Sequence, residues 1–243
     1  MKLLQWNVWY KEDLKNILST LQKIDADIIC LQEVTVDYPP HKLNAAKFLA
    51  DNLKLNHFYQ NAQSTVTDNE KYSFGNAIFT RYPVLEKTSV FVQQPTSESG
   101  DYSQEGRVYL EVRLETESGP LTVGTVHLSY TDRFLATPGK ENETRKLLSA
   151  IQEKKERFVV AGDFNSLPDS YTITELSKCL KNAGPDFAQK TWTTKPFSYN
   201  GFNANTLDWR LDYCFATPDI QVLSAQTIDT PYSDHLPILI EFK

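Results

Sequence analysis

The sequence of 243 residues contains few cysteines and no long hydrophobic run. Its three cysteines show neither a paired spacing nor a CxxC pattern, and two of them, Cys30 and Cys214, lie inside apolar runs. Those two are therefore predicted to be buried free thiols, which fits a reducing compartment. No stretch approaches the roughly 20 consecutive apolar residues that a membrane helix requires. The first apolar stretch is interrupted by Gln5 and Asn7, so we expect no signal peptide, no membrane span and a cytoplasmic location.

The chain also lacks a linker rich in proline, glycine or serine, an internal repeat and a low-complexity block. We therefore expect one domain over residues 1–243, long enough to bury a sizeable core. A hydrophobic fraction of 40% beside 23% charged residues is ordinary for a soluble globular protein. The net charge of −6 argues against an extended electrostatic footprint on duplex nucleic acid. It does not exclude a nuclease, because a metal site contributes several acids by itself.

Apolar periodicity predicts an α/β protein that opens with a β-α-β unit. Residues 2–8 and 26–32 are predicted strands, and residues 13–24 between them carry leucine and isoleucine at helical spacing. Further helices are expected at about 43–53, 142–153 and 171–180, and further strands at 76–80, 108–114, 121–128, 158–161 and 236–242. This mixture favours mixed sheets packed face to face, with helices outside.

Two longer segments, 93–106 and 184–207, show no regular pattern. The second is rich in aromatic residues, namely Phe187, Trp192, Phe197, Tyr199 and Phe202. Loops on a rigid scaffold usually carry specificity, so both segments are candidates for choosing the substrate. Packing on the surface of the protein is an equally good interpretation.

Polar residues suited to metal-assisted chemistry lie at or near the ends of the strand-like runs. They are Asn7, Glu33, His127, Asp163, Asn165, Asp212, Asp234 and His235. Polar groups held at strand ends converge on one rim of a sheet. Such a rim is typical of a site for metal-assisted attack on phosphorus.

The same residues fall in a series of short motifs, which in chain order are QWNVW, LQEV, GNAIFTRYPV, GTVHLSY, GDFNSLPDS, WRLDYCF and SDHLPI. In this order, and over nearly the whole chain, the motifs resemble those of the endonuclease/exonuclease/phosphatase superfamily, which has the deoxyribonuclease I-like fold. The resemblance implies a single catalytic domain built as a four-layer α/β sandwich, with two packed mixed β-sheets flanked by helices. It also implies a hydrolase that acts on phosphate esters.

The resemblance implies a divalent metal cofactor, Mg²⁺, for which Mn²⁺ can substitute. Glu33 is the first candidate ligand, with Asn7 and Asp234 beside it, because Mg²⁺ takes oxygen ligands and needs only one or two carboxylates. Taken alone, Glu33 would more readily be interpreted as a surface or helix-initiating glutamate. Its place directly after ICLQ, within the full motif series, favours the metal role.

The remaining motifs supply the expected catalytic residues, to which Asn7 and Glu33 also belong. Asp163 and Asn165 are expected to position and activate the attacking water, as family members use this pair, although GDFN also suits a simple turn. His235 is expected to contact a non-bridging phosphate oxygen, with a role as general base as the alternative. Asp212 is its expected partner, which would fix the tautomer of His235 and raise its pKa.

His127 matches a family histidine that binds phosphate or helps the leaving group depart, although a lone histidine in a strand is more often a core residue. Glu70 is a candidate carboxylate partner for His127. Arg107, in EGRVYLEV, is a candidate substrate-binding residue, because a guanidinium there could grip a phosphate. A structural salt bridge is an equally good interpretation of Arg107. His41 and His57 match no motif and are expected at the surface.

The favoured function is a Mg²⁺-dependent phosphodiesterase or nuclease, which hydrolyses P–O bonds by metal-assisted attack of water. A phosphomonoesterase or a lipid-headgroup hydrolase that uses the same site is the alternative. A catalytically inactive binding module is the least favoured, because no site motif is missing. The expected partner is a phosphate-ester substrate, with nucleic acid or a nucleotide as candidates, and the sequence suggests no obligate protein partner.

Overall fold

The computed structural model describes residues 1–39, 42–67, 70–96, 102, 104–154 and 157–243. In chain order its strands are β1 (Lys2–Asn7), β2 (Ile28–Val36), β3 (Asn56–Thr67), β4 (Glu70–Thr80), β5 (Val84–Gln93), β6 (Arg107–Leu114), β7 (Leu121–His127), β8 (Phe158–Asp163), β9 (Lys181–Asn182), β10 (Phe197–Tyr199), β11 (Phe202–Ala204), β12 (Asp212–Ala216), β13 (Val222–Thr227) and β14 (Ile238–Phe242). Its α-helices are α1 (Leu14–Ile24), α2 (Ala45–Leu53), α3 (Pro138–Ile151) and α4 (Tyr171–Ser177).

Two six-stranded sheets carry the fold, and both are mixed. The first sheet has the order β13-β14-β1-β2-β4-β3, and the second has the order β5-β6-β7-β8-β12-β9. The strand pairs β1–β2 and β7–β8 are parallel, and the other pairs within each sheet are antiparallel. The short strands β10 and β11 form a hairpin of their own.

Apolar side chains fill the space between the two sheets and the space under each pair of helices. Leu3 and Ile28 from the first sheet meet Val123 and Ala161 from the second in the central cluster. Helices α1 and α2 cover the outer face of the first sheet, and α3 and α4 cover that of the second. Each fully buried leucine or isoleucine contributes roughly 1.5–3 kcal/mol. The predicted four-layer sandwich is therefore confirmed.

Helix α3 begins at Pro138, four residues before the start that the sequence predicts. The Thr137 side chain accepts a hydrogen bond from the Lys140 backbone N–H, and Pro138 occupies the first helical position. Threonine as N-cap and proline at N1 are strong start signals. Apolar periodicity alone overlooks them, because the first turn of α3 is polar.

Three long strands, β3, β5 and β13, were not predicted from the sequence. Strand β5 forms one edge of the second sheet, and most of its side chains are exposed, so its sequence carries no apolar run. Strands β3 and β13 form the two edges of the first sheet. Edge strands bury one face or none, which explains why periodicity finds the central strands and overlooks these.

The segment 184–207 contains the hairpin of β10 and β11, together with a small aromatic cluster. Trp192 and Phe202 pack there against Phe134 and Leu211, with Phe197 at the margin. Of the segment 93–106, residues 97–101 and 103 lie outside the described residues.

Cys30 and Cys214 are buried free thiols, as predicted, and Cys179 is exposed. His57 is half-buried and stacks against Phe79 with ring centroids 6.2 Å apart, whereas His41 lies outside the described residues. In the described part of the chain, no helix has the length and apolar character that crossing a bilayer requires.

Candidate active site

The sheet registers bring the predicted polar residues to one rim of the sandwich. In the second sheet, Asp163 pairs with His127 on one side and with Asp212 on the other. In the first sheet, Asn7 pairs with Gln32, the residue before Glu33. The ends of β1, β7 and β8, the start of β12 and the segment before β14 therefore meet at the same rim. Close approach of the strands depends on Gly162, where a Cβ atom would lie 2.0 Å from the carbonyl oxygen of Val126.

Asp163 Oδ2 lies at the centre of this group. Two imidazole nitrogens converge on it, His127 Nε2 at 3.4 Å and His235 Nε2 at 3.6 Å. Asn7 Nδ2 donates a hydrogen bond to the same oxygen at 3.1 Å, and Asn165 Nδ2 approaches it at 3.4 Å. The other carboxylate oxygen, Oδ1, accepts a 2.8 Å hydrogen bond from the Asn165 backbone N–H. The carboxylate of Asp163 is thus held in one orientation, with both histidines directed at it.

Glu33 lies within β2, at a bulge, whereas the sequence places it at the end of a strand. The pairing of β2 with β4 shifts register between Leu31 and Val34, and Glu33 adopts a left-handed backbone with φ of 59°. A bulge re-aims a side chain, and a non-glycine residue in this region stores strain. Asn7 Nδ2 donates to Glu33 Oε1 at 3.1 Å, and the Tyr10 backbone N–H donates to Oε2 at 3.0 Å.

Asn7 connects the Glu33 side of the site to Asp163. Its amide nitrogen donates to both carboxylates, and its oxygen Oδ1 accepts a 3.2 Å hydrogen bond from the Trp9 backbone N–H. One short side chain thereby fixes the spacing of two acids that belong to different sheets.

His235 is oriented from behind by Asp212. Its Nδ1 donates a 2.8 Å hydrogen bond to Asp212 Oδ2, which directs Nε2 towards Asp163. The His235 backbone N–H donates to Ser233 Oγ at 3.0 Å, and its carbonyl oxygen accepts from Trp6 Nε1 at 3.0 Å. Ring and backbone are therefore both fixed.

The two histidines have opposite electrostatic environments. Burial by itself would lower the pKa of His235, but the charges of Asp212, Asp163 and Asp234 raise it well above its usual range. Burial lowers the pKa of His127 well below its usual range, and the nearby cation Arg107 acts in the same direction. The environment of His235 therefore favours its protonated form, whereas that of His127 favours the neutral form.

The carboxylates of Glu33 and Asp163 both have raised pKa values. Burial, followed by the charge of Asp234, raises the pKa of Glu33 to about 7. Burial raises the pKa of Asp163 to about 6, with the His235 charge opposing the shift and Asp212 adding to it. Shifts of this kind mark a site where charged carboxylates are costly until a cation balances them.

The metal-ligand candidates offer hard oxygen atoms. Each oxygen of Glu33 accepts one hydrogen bond from the protein, which leaves a lone pair on each for a cation. Asp234 is held beside it by Trp192, whose Nε1 donates to Oδ2 at 3.1 Å. This donor set fits Mg²⁺, which prefers carboxylate and amide oxygens.

Asp163, Asp212 and His235 form a second group that could hold a metal. One potential ligand atom from each lies within 4.8 Å of the other two. Asp212 Oδ2 is already bonded to His235 Nδ1, and Asp212 Oδ1 accepts a 3.0 Å hydrogen bond from Gln5. These atoms are therefore better explained as a carboxylate–histidine pair than as an ion site.

Arg107 forms a buried ion pair, with Nη2 2.6 Å from Glu105 Oε2. Its Nε also donates to Ser129 Oγ at 3.4 Å, and the guanidinium borders the cleft described below. The expected pairing of Glu70 with His127 is wrong. Glu70 forms a 2.7 Å ion pair with Lys42 in which both side chains are substantially exposed, so the neighbours of His127 are Asn165 and Asp163 instead.

The site opens into a cleft of about 360 Å³. Nine aromatic side chains line it, namely Trp9, Tyr10, Tyr72, Phe74, Tyr102, Tyr130, Phe134, Trp192 and Phe197. Its charged lining comprises four acids, Glu33, Glu105, Asp163 and Asp234, and beside the histidines three cations, Lys11, Arg107 and Lys195. The cleft thus combines a polar floor with flat apolar walls.

The sequence profile of the Endonuclease/Exonuclease/phosphatase family matches residues 4–235. The chain belongs to this family. Members of the family are hydrolases that act on phosphate esters. No curated protein matches the chain significantly.

Solved structures with the same fold are similar to this member of the family over its whole length. An endonuclease/exonuclease/phosphatase from Beutenbergia cavernae superimposes with a TM-score of 0.77 at 19% identity, over 100% of this chain and 71% of its own. D. rerio TDP2 complexed with a single-stranded DNA product gives a TM-score of 0.71 at 18% identity, over 100% and 98%. A mannosyl-6-phosphatase of Bacteroides thetaiotaomicron gives 0.67 at 17% identity, over 100% and 99%. At these identities the similarity shows the shared fold.

Sequence reasoning overlooked several residues that shape this family site. The backbone of Tyr10, the indole of Trp192 and the amide of Gln5 each bond a carboxylate of the site. Gln5 carried a detectable signal, since it is a polar residue inside an apolar strand. Trp192 carried none, because its bond to Asp234 depends on the path of a long irregular segment.

Proposed function

We propose that the protein is a Mg²⁺-dependent phosphodiesterase that hydrolyses a P–O bond by attack of water. The observation that carries this proposal is the convergence of His127 Nε2 and His235 Nε2 on Asp163 Oδ2, beside the acid pair Glu33 and Asp234. A phosphate placed there would meet a fixed carboxylate and two imidazoles at once. Since both sheets contribute side chains, we infer that residues 1–243 act as one catalytic domain.

Asp163 is the group that positions and deprotonates the attacking water. Its pKa of about 6 leaves it ionised at neutral pH yet more basic than an ordinary aspartate, which suits a general base. Asn165 supports the role, because its backbone and side-chain nitrogens both contact the Asp163 carboxylate. Such fixed donors reduce the reorganisation that proton transfer requires.

His235 stabilises the charge that develops on a non-bridging phosphate oxygen. The 2.8 Å bond to Asp212 and the charges of the neighbouring acids favour its protonated form, which supports hydrogen-bond donation by Nε2 and argues against a base role. His127 remains neutral and contacts a phosphate oxygen or the leaving oxygen from the other side of Asp163. His235 thus stabilises the developing charge, and His127 positions the phosphate or the leaving group.

Glu33 and Asp234 would hold the metal ion. Asn7 directs its amide nitrogen at Glu33 and Asp163, so it would have to turn its amide over to add an oxygen ligand. Bound Mg²⁺, or Mn²⁺ in its place, supplies positive charge that polarises the phosphate and neutralises its oxygens. The raised pKa of Glu33 supports this assignment, because burial and the charge of Asp234 raise it even though the charge of His235 opposes the shift.

The charge of the cleft favours a phosphodiester over a phosphomonoester. Four acids line the cleft against three cations besides the histidines, and Arg107 is already neutralised by Glu105. A diester carries one negative charge and therefore demands less positive charge from this lining than a monoester dianion does. A phosphomonoesterase or a lipid-headgroup hydrolase is the second candidate, since the same floor would serve either reaction.

The aromatic walls favour nucleic acid or a nucleotide as the substrate. Flat rings such as Tyr10, Phe74 and Phe197 border the cleft, and stacking of a base on an aromatic ring contributes about 1–3 kcal/mol. The overall charge of −6 fits a single strand or short substrate better than a long duplex.

The decisive experiment compares two substrates with the same leaving group, bis-(para-nitrophenyl) phosphate as diester and para-nitrophenyl phosphate as monoester. Each is assayed with Mg²⁺, with Mn²⁺ and with a chelator, using His235→Ala as the inactive variant and Glu70→Gln as a matched control outside the cleft. We expect metal-dependent release from the diester, lost in His235→Ala and retained in Glu70→Gln. Release from the monoester alone would contradict the proposal and favour the phosphatase alternative.

A further inference from the structure

A chain of buried polar side chains extends behind the Asp212–His235 pair into the space between the two sheets. Gln5 Nε2 donates to Asp212 Oδ1 at 3.0 Å and to Gln32 Oε1 at 2.8 Å. Gln32 Nε2 in turn donates to Thr125 Oγ1 at 2.8 Å. These residues have no exposed surface, although most of their neighbours between the sheets are aliphatic. A polar chain in such a place requires an explanation, because burial of amides is costly unless each is bonded.

The amide of Gln5 is held in one orientation at a cost. Its nitrogen makes two hydrogen bonds, whereas its oxygen Oε1 has no hydrogen-bond partner within the part of the chain that the structure describes. A buried oxygen without a partner carries a desolvation penalty. Turning the amide over would place Oε1 against Asp212 Oδ1 and Gln32 Oε1, so that acceptors would face each other. The hydrogen bonds on the nitrogen therefore determine the orientation of Gln5.

The position of Gln5 on β1 explains how its side chain contacts Asp212 in the other sheet. Strand β1 belongs to the first sheet and Asp212 begins β12 in the second, so the Gln5 side chain crosses from one sheet to the other. Each oxygen of the Asp212 carboxylate accepts one hydrogen bond, Oδ1 from Gln5 and Oδ2 from His235. With both oxygens bonded, the carboxylate cannot rotate about its Cβ–Cγ bond without losing a partner.

We propose that Gln5 is a positioning residue, which holds the Asp212 carboxylate so that His235 keeps Nε2 directed at the cleft. Gln32 supports it by accepting the second hydrogen of the Gln5 amide. The effect of Gln5 on turnover rests on the proposed function, whereas its effect on the Asp212–His235 hydrogen bond does not. Two measurements therefore separate the two claims.

The first measurement is proton NMR of the Nδ1–H of His235, which requires no substrate. The resonance is assigned by its loss in His235→Ala. In Gln5→Met, which keeps the volume and removes the amide, we expect the resonance to shift or to disappear by exchange. Thr144→Val is the matched control, because it removes a buried 2.8 Å hydrogen bond to Thr172 in the helical layer and leaves Asp212 untouched. An unchanged resonance in Gln5→Met would overturn the proposal.

The second measurement is the turnover of the diester. In Gln5→Met, kcat should fall about 10- to 100-fold, as for other residues that orient a working side chain, with KM within about twofold. The same substitution in an Asp212→Asn background should have little further effect, because its target is gone. A variant with unchanged kcat, or with equal losses in both backgrounds, would overturn the positioning role.

A second substitution tests the positioning role if Gln5→Met is not stably folded. If Gln5→Met does not fold, Gln5→Asn retains a buried amide but withdraws it by one methylene, and the same shift of the resonance and loss of kcat are expected. If the wild-type protein hydrolyses neither ester while the resonance still responds to Gln5, the proposed function fails and the positioning of Asp212 by Gln5 stands.

Discussion

Asp212 Oδ2 accepts a 2.8 Å hydrogen bond from Nδ1 of His235, and both side chains are buried. A carboxylate in this position fixes the tautomer of the imidazole and stabilises its protonated form. The pair is assembled from strand β12 of one sheet and the segment before β14 of the other, so the packing of the two sheets creates it. The two residues should therefore behave as one functional unit.

Asp212→Asn is expected to lower kcat nearly as much as His235→Ala, by about 10²–10⁴-fold. The double variant should be little worse than either single variant, because residues that act as a unit are not additive. Steady-state rates on the diester substrate check this. Losses that multiply in the double variant would show that the two residues act separately.

Glu33→Gln is expected to weaken Mg²⁺ binding by tenfold or more while the fold remains intact. The change keeps the size of the side chain and its place at the β2 bulge but removes the negative charge. Isothermal titration calorimetry with Mg²⁺ measures the affinity, and circular dichroism checks the fold. Glu70→Gln, at an exposed ion pair, is the matched control and should bind as the wild type does. Equal affinities in both variants would refute the ligand role of Glu33.

The metal-free protein is expected to lose stability as the pH rises from about 5 to about 7. The pKa of Glu33 is raised from 4.5 to about 7 by burial and by Asp234, so the folded state binds this proton more tightly than the unfolded state does. Between those two values the folded state holds more protons, and the free energy of unfolding therefore falls with rising pH. His235, whose pKa is also raised, extends the same trend to higher pH, since its stabilising contribution is lost as it deprotonates.

Thermal melting in a chelator at pH 5, 6 and 7 measures this trend, and Glu33→Gln should show a smaller decrease than the wild type. Added Mg²⁺ should reverse most of the loss at pH 7, because a bound cation favours the ionised carboxylate. A wild-type melting temperature that rises over this interval in chelator would contradict the expected direction.

Trp192→Phe is expected to weaken metal binding and to lower activity, each by about tenfold. The change removes the indole N–H that donates to Asp234 Oδ2 at 3.1 Å. Trp209→Phe removes an indole from the same aromatic cluster without touching Asp234, so it controls for lost packing. Mg²⁺ titrations of both variants test the prediction. Equal losses in the two would assign the effect to packing.

The central part of the fold was predictable from the sequence, and the reason is physical. Strands such as β8 and β14 are buried on both faces, so their composition is mostly apolar and polar residues mark their ends. Edge strand β5 has no such marking, since most of its residues face solvent. The start of α3 was missed for a related reason, because capping and not periodicity defines it.

For the site, the sequence indicated which residues to consider but not how they bond to one another. Strand-end placement indicated Asp163 and His235, because a polar group that borders an apolar run can be recognised in the sequence. The bridging role of Asn7 and the crossing of Gln5 to Asp212 depend on how two sheets stack, which no local pattern encodes. The pairing expected for Glu70 is wrong for the same reason, since its contact with Lys42 depends on the tertiary fold.

The most direct test of the account is hydrolysis of a phosphodiester in H₂¹⁸O, followed by mass spectrometry of both products. Attack of water on phosphorus, assisted by Asp163 and His235, predicts one ¹⁸O atom in the phosphate-bearing product and none in the alcohol. The incorporation should require Mg²⁺ or Mn²⁺ and should vanish in His235→Ala. Label in the alcohol, or equal label in the phosphate product of His235→Ala, would contradict hydrolysis of a P–O bond by this site.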